Sequence, residues 1–205
     1  MSKLILGSAS PRRKEIMELM GLQFIVRPSH CEEVITETDP EKIVMELSRQ
    51  KAEDVAGTAE SGDIIIGSDT IVALDGQILG KPRDRDHAFS MLRAMAGNTH
   101  HVYTGVTILR CPELPTDKSV AAGAGGTDKR ITFAECTEVH VASMTDEEIN
   151  DYLDIGEYKD KAGAYGIQGR FAPHITGING DFYNVMGLPA AALYRHLKEF
   201  TGELG

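Results

Sequence analysis

Apolar residues along the chain follow two patterns: short continuous runs typical of buried strands, and stripes with a period of about 3.6 residues typical of helices. The strand-like runs cover residues 4–6, 24–27, 64–74, 101–109 and 131–141. Helical stripes cover residues 11–20, 40–56 and 86–96 and the segments after 145 and 189. This order of strands and helices predicts an α/β fold with a mixed sheet, in a single domain spanning residues 1–205.

Asp69 stands in the middle of the run from 64 to 74, with apolar, β-branched residues on both sides. Burying an ionised carboxylate without a partner costs several kcal/mol, so Asp69 requires cations, hydrogen bonds or an exposed position. Two interpretations are open at this point. Asp69 is either a turn residue between two short strands or a catalytic or metal-binding carboxylate at the floor of a cleft.

The segment 7–14 combines small residues with two serines and two arginines. Ser10 is a favourable N-cap residue and Pro11 a favourable first helical residue, so a helix begins here directly after a strand. Free N–H groups at that helix terminus, together with hydroxyl and guanidinium groups, form a site suited to phosphate. A capped helix with solvated arginines is the alternative. The candidate anion-binding residues are Ser8, Ser10, Arg12 and Arg13.

Lys51 lies within the apolar stripe of the helix predicted from residue 40, four residues from both Leu47 and Val55. A lysine in that position either extends outward over the helix surface or reaches into a polar cleft beside the core.

Two dipeptides predict tight hairpins, Asp75-Gly76 and Asn179-Gly180. Counting outward from the first turn places Lys81 opposite Thr70. In a regular pleat Asp69 faces the other side of the sheet, so Lys81 reaches it only from a bulge or from the rim of the sheet.

The bulk composition excludes several classes of protein. With 21 Lys and Arg against 31 Asp and Glu, the net charge of −10 argues against a nucleic-acid backbone as the main partner. Three scattered cysteines without a CxxC pair fit a reducing compartment. No signal peptide and no apolar run of roughly 20 residues is present, so we expect a cytoplasmic protein without a membrane span.

Common nucleotide-binding, zinc-protease and serine-hydrolase motifs are absent from the sequence. What remains is a dispersed set of cations, hydroxyls and carboxylates that suits phosphoryl or nucleotidyl hydrolysis, because positioning and charge stabilisation supply most of the rate there. The set is Ser8, Ser10, Arg12, Arg13, Glu33, Lys51, Asp69 and Lys81.

Six short motifs follow one another along the chain, at residues 8–13, 67–72, 80–82, 103–106, 160–169 and 185–189. Together they resemble the Maf family of nucleoside triphosphate pyrophosphatases, also described as septum-formation inhibitors, and the resemblance covers residues 3 to about 200. It implies an elongated, twisted mixed sheet flanked by helices, of the Maf and inosine triphosphatase type, with two lobes around a cleft floored by Asp69. It also implies a homodimer. The glycine-rich segment at about 111–130 is longer than the family's usual connection.

The same resemblance implies metal-assisted cleavage between the α- and β-phosphates of a nucleoside triphosphate. Asp69 matches the proton acceptor for the attacking water, and Glu33 matches the acidic residue on the metal side, with Glu32 as an adjacent alternative. A divalent cation, Mg²⁺ or Mn²⁺, would bind between Glu33, Asp69 and the phosphates. The implied phosphate-binding residues are Ser8, Ser10, Arg13, Lys51 and Lys81.

Arg12, Thr70 and Gln168 match the branch of the family that acts on dTTP and UTP, and modified pyrimidine nucleotides would fit the same pocket. The branch that prefers 7-methyl-GTP has an aromatic residue and a glutamine in place of Arg12 and Thr70. Outside the enzymes, a division-regulating binding protein is the main alternative. DNA binding is disfavoured because the net charge is negative and no basic aromatic stripe is present.

Overall fold

A seven-stranded mixed sheet with helices on both faces forms the fold of the computed structural model, which describes residues 2–112 and 129–202. The strands are β1 (Leu4–Leu6), β2 (Ile25–Val26), β3 (Ile64–Leu74), β4 (Gln77–Leu79), β5 (Thr99–Arg110), β6 (Arg130–Val141) and β7 (Ile175–Asn179). The helices are α1 (Pro11–Leu19), α2 (Pro40–Ala56), α3 (Arg85–Met95), α4 (Asp146–Ile155), α5 (Phe182–Met186) and α6 (Ala190–Thr201).

The strand order is β2-β1-β3-β5-β6-β7, and β4 pairs separately with β3. Strand β1 pairs in parallel with β2 and β3, whereas the other pairs are antiparallel. The expected mixed α/β sheet is therefore confirmed.

Strand β3 has an open stretch in the middle of one of its edges. Its first residues, Ile64–Ile66, pair with β1, and Val72–Leu74 pair with β4. Its other edge pairs with β5 from Ile64 to Ala73. Within the described residues, no strand covers the stretch from Gly67 to Ile71 on the β1 and β4 side, and Asp69 lies at its centre.

The two faces of the sheet contribute to separate hydrophobic clusters, because successive side chains along a strand point to opposite faces. Ile64, Ile66 and Val72 pack in the large cluster with residues of α1, α3, α4 and α6. Ile65 and Ile71 pack in two small clusters with residues of α2. Asp69 follows the alternation of Ile65 and Ile71, so its side chain is on the α2 face.

Two glycines let the backbone of α2 lie unusually close to the sheet. A Cβ atom on Gly67 would stand 2.3 Å from the carbonyl oxygen of Ser48, and one on Gly105 would stand 2.1 Å from that of Val44. Gly105 is the cross-strand partner of Asp69. Close approach of α2 at these two points brings the helix directly over Asp69.

The hairpin predicted at Asp75-Gly76 is confirmed, because Leu74 pairs with Gln77. The hairpin predicted at Asn179-Gly180 is wrong: β7 ends at Asn179 and the chain turns into α5. Gly180 has a φ of +136°, and a Cβ there would stand 2.7 Å from the hydroxyl oxygen of Thr137. Glycine is therefore required at this position because the backbone passes close to β6. The dipeptide Asn179-Gly180 alone does not show whether such a contact or a hairpin is present.

Residues 113–128, most of the glycine-rich segment predicted at about 111–130, lie outside the described residues. Over the ranges 2–112 and 129–202, no helix has the length and apolar character needed to cross a membrane.

Candidate active site

Asp69, Lys51 and Glu33 form a connected charged group on the α2 face of β3. Lys51 Nζ donates a hydrogen bond to Asp69 Oδ1 and lies 2.9 Å from Glu33 Oε1. The Lys51 and Asp69 side chains are 16% and 14% exposed, so the pair is largely sheltered from solvent but within reach of a ligand. A charge-assisted contact in such a setting is stronger and better fixed than a surface ion pair.

Of the two orientations open to Lys51, the structure shows the inward one. Lys51 lies among buried residues of α2, including Leu47, Ser48 and Ala52, and therefore on the side of the helix that packs on the sheet. From there its ammonium group reaches Asp69 on β3. The turn-residue interpretation of Asp69 is wrong, because Asp69 lies inside the continuous strand β3.

Glu33 and Asp69 are suited to a divalent cation by their chemistry and by their shared neighbour. Both carboxylates contact one positive charge, the Lys51 ammonium, so both have oxygen atoms around a common cationic position. Glu33 rather than Glu32 makes this contact. No cluster of three or more His, Cys, Asp or Glu able to hold a metal is present in the described part of the chain. Mg²⁺ commonly binds through one or two carboxylates, completed by substrate phosphates and water, so the pair fits such an ion.

Arg13 closes the open edge of β3. Its Nη1 donates to the carbonyl oxygen of Ser68 at 2.8 Å and to Ser8 Oγ at 3.1 Å. Nε donates to the carbonyl oxygen of Gly187 at 2.8 Å, and Nη2 donates to Thr70 Oγ1 at 3.1 Å. Four of the five N–H groups of this guanidinium therefore have partners within the protein, which leaves one for a ligand.

The charge of Arg13 is held in a low-solvent setting. Burial lowers the pKa of its guanidinium, and the nearby Asp69 carboxylate opposes that shift. An arginine stays protonated under these conditions, so Arg13 supplies a fixed positive charge beside Asp69.

Ser8 and Ser10 lie at the start of α1, as predicted. Ser8 Oγ accepts hydrogen bonds from the backbone N–H of Ser10, at 3.2 Å, and from Arg13. Ser10 occupies the N-cap position and Pro11 follows it, but the Ser10 side chain makes no capping hydrogen bond. The Ser10 hydroxyl and the first N–H groups of α1 are thus available to an anion.

Arg12 lies beside the glycine-dense segment 160–169. Burial lowers the pKa of Arg12, and Asp160 opposes the shift. Burial and the neighbouring Arg12 also lower the pKa of Lys161. Two adjacent cations are suited to a polyanion, so Lys161 is a further candidate site residue. The sequence analysis did not single it out, because segment 160–169 entered only as one of the six family motifs.

Lys81 and Gln168 are not brought into the group around Asp69 by direct contacts. Strand β4 ends at Leu79, so Lys81 lies beyond the ladder and is exposed. The carbonyl oxygen of Gly80, next to it, accepts a 3.1 Å hydrogen bond from the N–H of Gly163. This bond joins the Lys81 segment to the segment 160–169, in which Gln168 is exposed in a turn.

A second group of residues that the sequence argument left without a role lies behind Arg13. The Ser68 hydroxyl donates to the carbonyl oxygen of Gly187 at 3.2 Å, the same oxygen that Arg13 uses. Thr104 contacts Thr70 at 2.9 Å and donates to the carbonyl oxygen of Asn184 at 2.9 Å. Their motifs, 103–106 and 185–189, supported the family resemblance, but periodicity gave no reason to expect them to meet.

The fold and site together define a class: mixed α/β proteins in which cations and carboxylates from several segments surround an open strand edge, an arrangement suited to a polyphosphate ligand. The model of the Maf-like protein family matches residues 3–200. The chain therefore belongs to the Maf family, and the resemblance drawn from its motifs is confirmed.

Full-length relatives support the same assignment. The chain is 50% identical over 204 residues to the dTTP/UTP pyrophosphatase of Lachnoclostridium phytofermentans, an alignment that covers 100% of this chain and 98% of that protein. It is 48% identical over 211 residues to the dTTP/UTP pyrophosphatase of Agathobacter rectalis, covering 97% and 98%. The protein of that name from Carboxydothermus hydrogenoformans is 42% identical over 198 residues, covering 97% and 98%.

Proposed function

We propose that this Maf-family chain is a nucleoside triphosphate pyrophosphatase that hydrolyses dTTP and UTP to the monophosphate and pyrophosphate. The observation behind the proposal is the meeting of Asp69, Lys51 and Glu33 beside the Arg13-closed edge of β3. A carboxylate that can accept a proton from water stands there next to groups that bind anions. Three relatives that match nearly the whole chain are named dTTP/UTP pyrophosphatase.

Asp69 accepts the proton of the attacking water. Its Oδ1 contacts Lys51, which fixes the carboxylate and leaves Oδ2 to orient a water molecule. The partial exposure of the side chain admits that water from the ligand side. Lys51 holds the carboxylate in position and carries positive charge to the phosphates that approach it.

The phosphates bind to Ser8, Ser10, Arg13, Lys51 and Lys81. Arg13 contributes its single remaining N–H and its charge, while Ser10 and the first N–H groups of α1 provide uncommitted donors. Arg12 provides a second guanidinium in the same turn of α1. A divalent cation, Mg²⁺ or Mn²⁺, held by Glu33 and Asp69 would neutralise charge on the triphosphate and on the leaving pyrophosphate.

Base selection is assigned to Arg12, Thr70 and Gln168. Gln168 is exposed in a turn, and its amide has both a donor and an acceptor for a pyrimidine edge. Arg12 lies next to the segment that contains Gln168. Modified pyrimidine nucleotides are further substrates of this site.

A homodimer and a cytoplasmic location complete the proposal. The first is checked by sedimentation of the purified protein across a range of concentrations. The second is checked by fractionation of cells that produce the chain with a small epitope tag.

The proposed activity is tested with a panel of dTTP, UTP, CTP, GTP and 7-methyl-GTP in the presence of Mg²⁺, with products resolved as pyrophosphate or orthophosphate. Pyrophosphate released fastest from dTTP and UTP is the expected result. Orthophosphate would mean that the cleaved bond is misassigned. Preference for 7-methyl-GTP would place the chain in the other branch, and inactivity toward the whole panel would favour a binding protein.

A further inference from the structure

Thr104 occupies a fully buried position on β5, one strand behind Asp69 and its neighbour Thr70. It is 0% exposed, so it cannot touch a nucleotide. Its side chain nevertheless connects the open edge of β3 to helix α5. Its hydroxyl lies 2.9 Å from that of Thr70 and 2.9 Å from the carbonyl oxygen of Asn184.

The direction of these hydrogen bonds follows from counting protons. Thr104 has one hydroxyl proton, and the carbonyl oxygen of Asn184 takes it, because a carbonyl only accepts. In the contact between the two threonines, Thr70 must therefore donate. Thr70 Oγ1 then has lone pairs facing Arg13, whose Nη2 donates to it at 3.1 Å. The bonds run in one direction, from Arg13 to Thr70, to Thr104 and to Asn184.

This direction has a consequence for Thr70. Its hydroxyl proton is committed to Thr104, so the Thr70 side chain has no donor for a nucleobase or a phosphate. An effect of the Thr70 hydroxyl on substrate choice must then pass through Arg13, whose Nη2 is oriented by the Thr70 oxygen.

Asn184, at the far end of this series of hydrogen bonds, is itself held in place. Asn184 is fully buried, and its Nδ2 donates at 3.0 Å both to the carbonyl oxygen of Val102 and to Thr137 Oγ1. These bonds hold α5 against β5 and β6. The turn after α5 presents the carbonyl oxygen of Gly187 to Arg13 Nε. Helix α5 therefore fixes the position of the Arg13 guanidinium through two sets of hydrogen bonds: one directly from Arg13 to Gly187, the other through Thr70 and Thr104 to Asn184.

We infer that Thr104 is a positioning residue of the active site: it orients the Thr70 hydroxyl and thereby fixes the Arg13 guanidinium beside Asp69. The inference rests on the proposed function, since its kinetic consequences are those of a site that binds a nucleoside triphosphate. Cooperative hydrogen-bond sequences of this kind depend on every member, so loss of the Thr104 hydroxyl frees Thr70 to rotate.

The test is Thr104→Val, which removes the hydroxyl and keeps the shape, with Thr104→Ser as the variant that restores it. The matched control is Thr107→Val. Thr107 is on the same strand, is 0% exposed and makes two side-chain contacts of 3.0 Å, to Ser48 and Thr132, but has no link to Arg13.

Because one charge-assisted bond is misdirected, we expect Thr104→Val to raise the KM for dTTP about tenfold while kcat changes less than about threefold. Thr104→Ser and Thr107→Val keep the wild-type KM within about twofold. The two valine variants lower Tm by similar amounts, so loss of stability alone does not account for the kinetic difference. Equal KM values for Thr104→Val and Thr107→Val would overturn the inference.

A second readout needs no substrate. The Arg13 Nε–H, hydrogen-bonded to Gly187, should give a slowly exchanging NMR signal in the wild type and in Thr107→Val, and a fast-exchanging or shifted one in Thr104→Val. If the wild type releases no pyrophosphate from dTTP or UTP, the proposed function fails and this signal still decides the role of Thr104. An unchanged signal in Thr104→Val would refute it.

Discussion

Replacing Gly105 with alanine tests whether the close approach of α2 assembles the site. Gly105 pairs with Asp69 across β3 and β5 and lies under the first half of α2. A Cβ at this position would stand 2.1 Å from the Val44 carbonyl oxygen, 2.3 Å from the Val44 carbonyl carbon and 2.8 Å from the Met45 nitrogen. All three are backbone atoms, so no side-chain rotation relieves the clash.

The size of the effect follows from these distances. To reach an ordinary contact of about 3.4 Å, α2 must retreat by roughly 1.3 Å. Overpacking usually costs about 1–3 kcal/mol, and the backbone clash places this variant at about 3 kcal/mol, which lowers Tm by about 6–12 °C for a chain of this size. The same retreat carries Lys51 away from Asp69. A displacement of about 1 Å in a catalytic group costs roughly 100-fold in rate, and we expect that loss in kcat.

The assay pairs thermal unfolding with dTTP turnover, measured well below the Tm of the variant. The matched control is Gly177→Ala on β7, where a Cβ would stand 3.5 Å from His140 Cδ2, an ordinary contact. That variant should keep its Tm within about 2 °C, since the added methyl group fits without strain. If Gly105→Ala matched Gly177→Ala in both Tm and kcat, the role given to the approach of α2 would be wrong.

Two further substitutions test other parts of the account. Arg13→Lys replaces five N–H groups by three, too few for the four acceptors, so kcat/KM for dTTP should fall about 100-fold. Arg27→Lys is the control: Arg27 is half-buried and bonds to the carbonyl oxygen of Thr58, so kcat/KM should be unchanged. Equal kcat/KM values for the two variants would contradict the structural role of Arg13. Burial lowers the pKa of His100 from 6.5 to about 4, so the unfolded chain takes up a proton first as the pH falls. Stability should therefore decline between pH 6.5 and about 4, by about 3 kcal/mol from this residue. In His100→Gln, the free energy of unfolding measured with denaturant should fall less steeply over this pH range than in the wild type. An equal pH dependence in the two proteins would contradict the role given to His100.

Much of the fold could be predicted from the sequence because its signals are local. The apolar runs at 64–74 and 131–141 and the capping residues before α2 and α4 depend on near neighbours in the chain, and each agrees with the structure to within a few residues. The hairpin predicted at Asn179-Gly180 was wrong because the contact that decides the local structure, to Thr137, comes from a strand distant in the sequence.

Part of the candidate site could likewise be predicted from local sequence, and part depends on contacts between distant segments. The helix-terminus residues Ser8 and Ser10 and the carboxylate of Asp69 stand out from local sequence alone. The contact between Lys51 and Asp69 depends on Gly67 and Gly105, whose role is visible only when α2 lies on the sheet. The donors of Arg13 were assigned to phosphate in the sequence argument, because no pattern along the chain shows that the protein itself uses four of them.

The central claim is that Asp69 activates water for cleavage of the bond between the α- and β-phosphates. Asp69→Asn keeps the size of the side chain and its contact with Lys51, but an amide cannot take the proton. Steady-state turnover of dTTP with Mg²⁺ should show pyrophosphate release by the wild type and a loss of about 1,000-fold or more in kcat for the variant, with an unchanged fold by circular dichroism. Wild-type turnover in the folded Asp69→Asn variant would contradict the account.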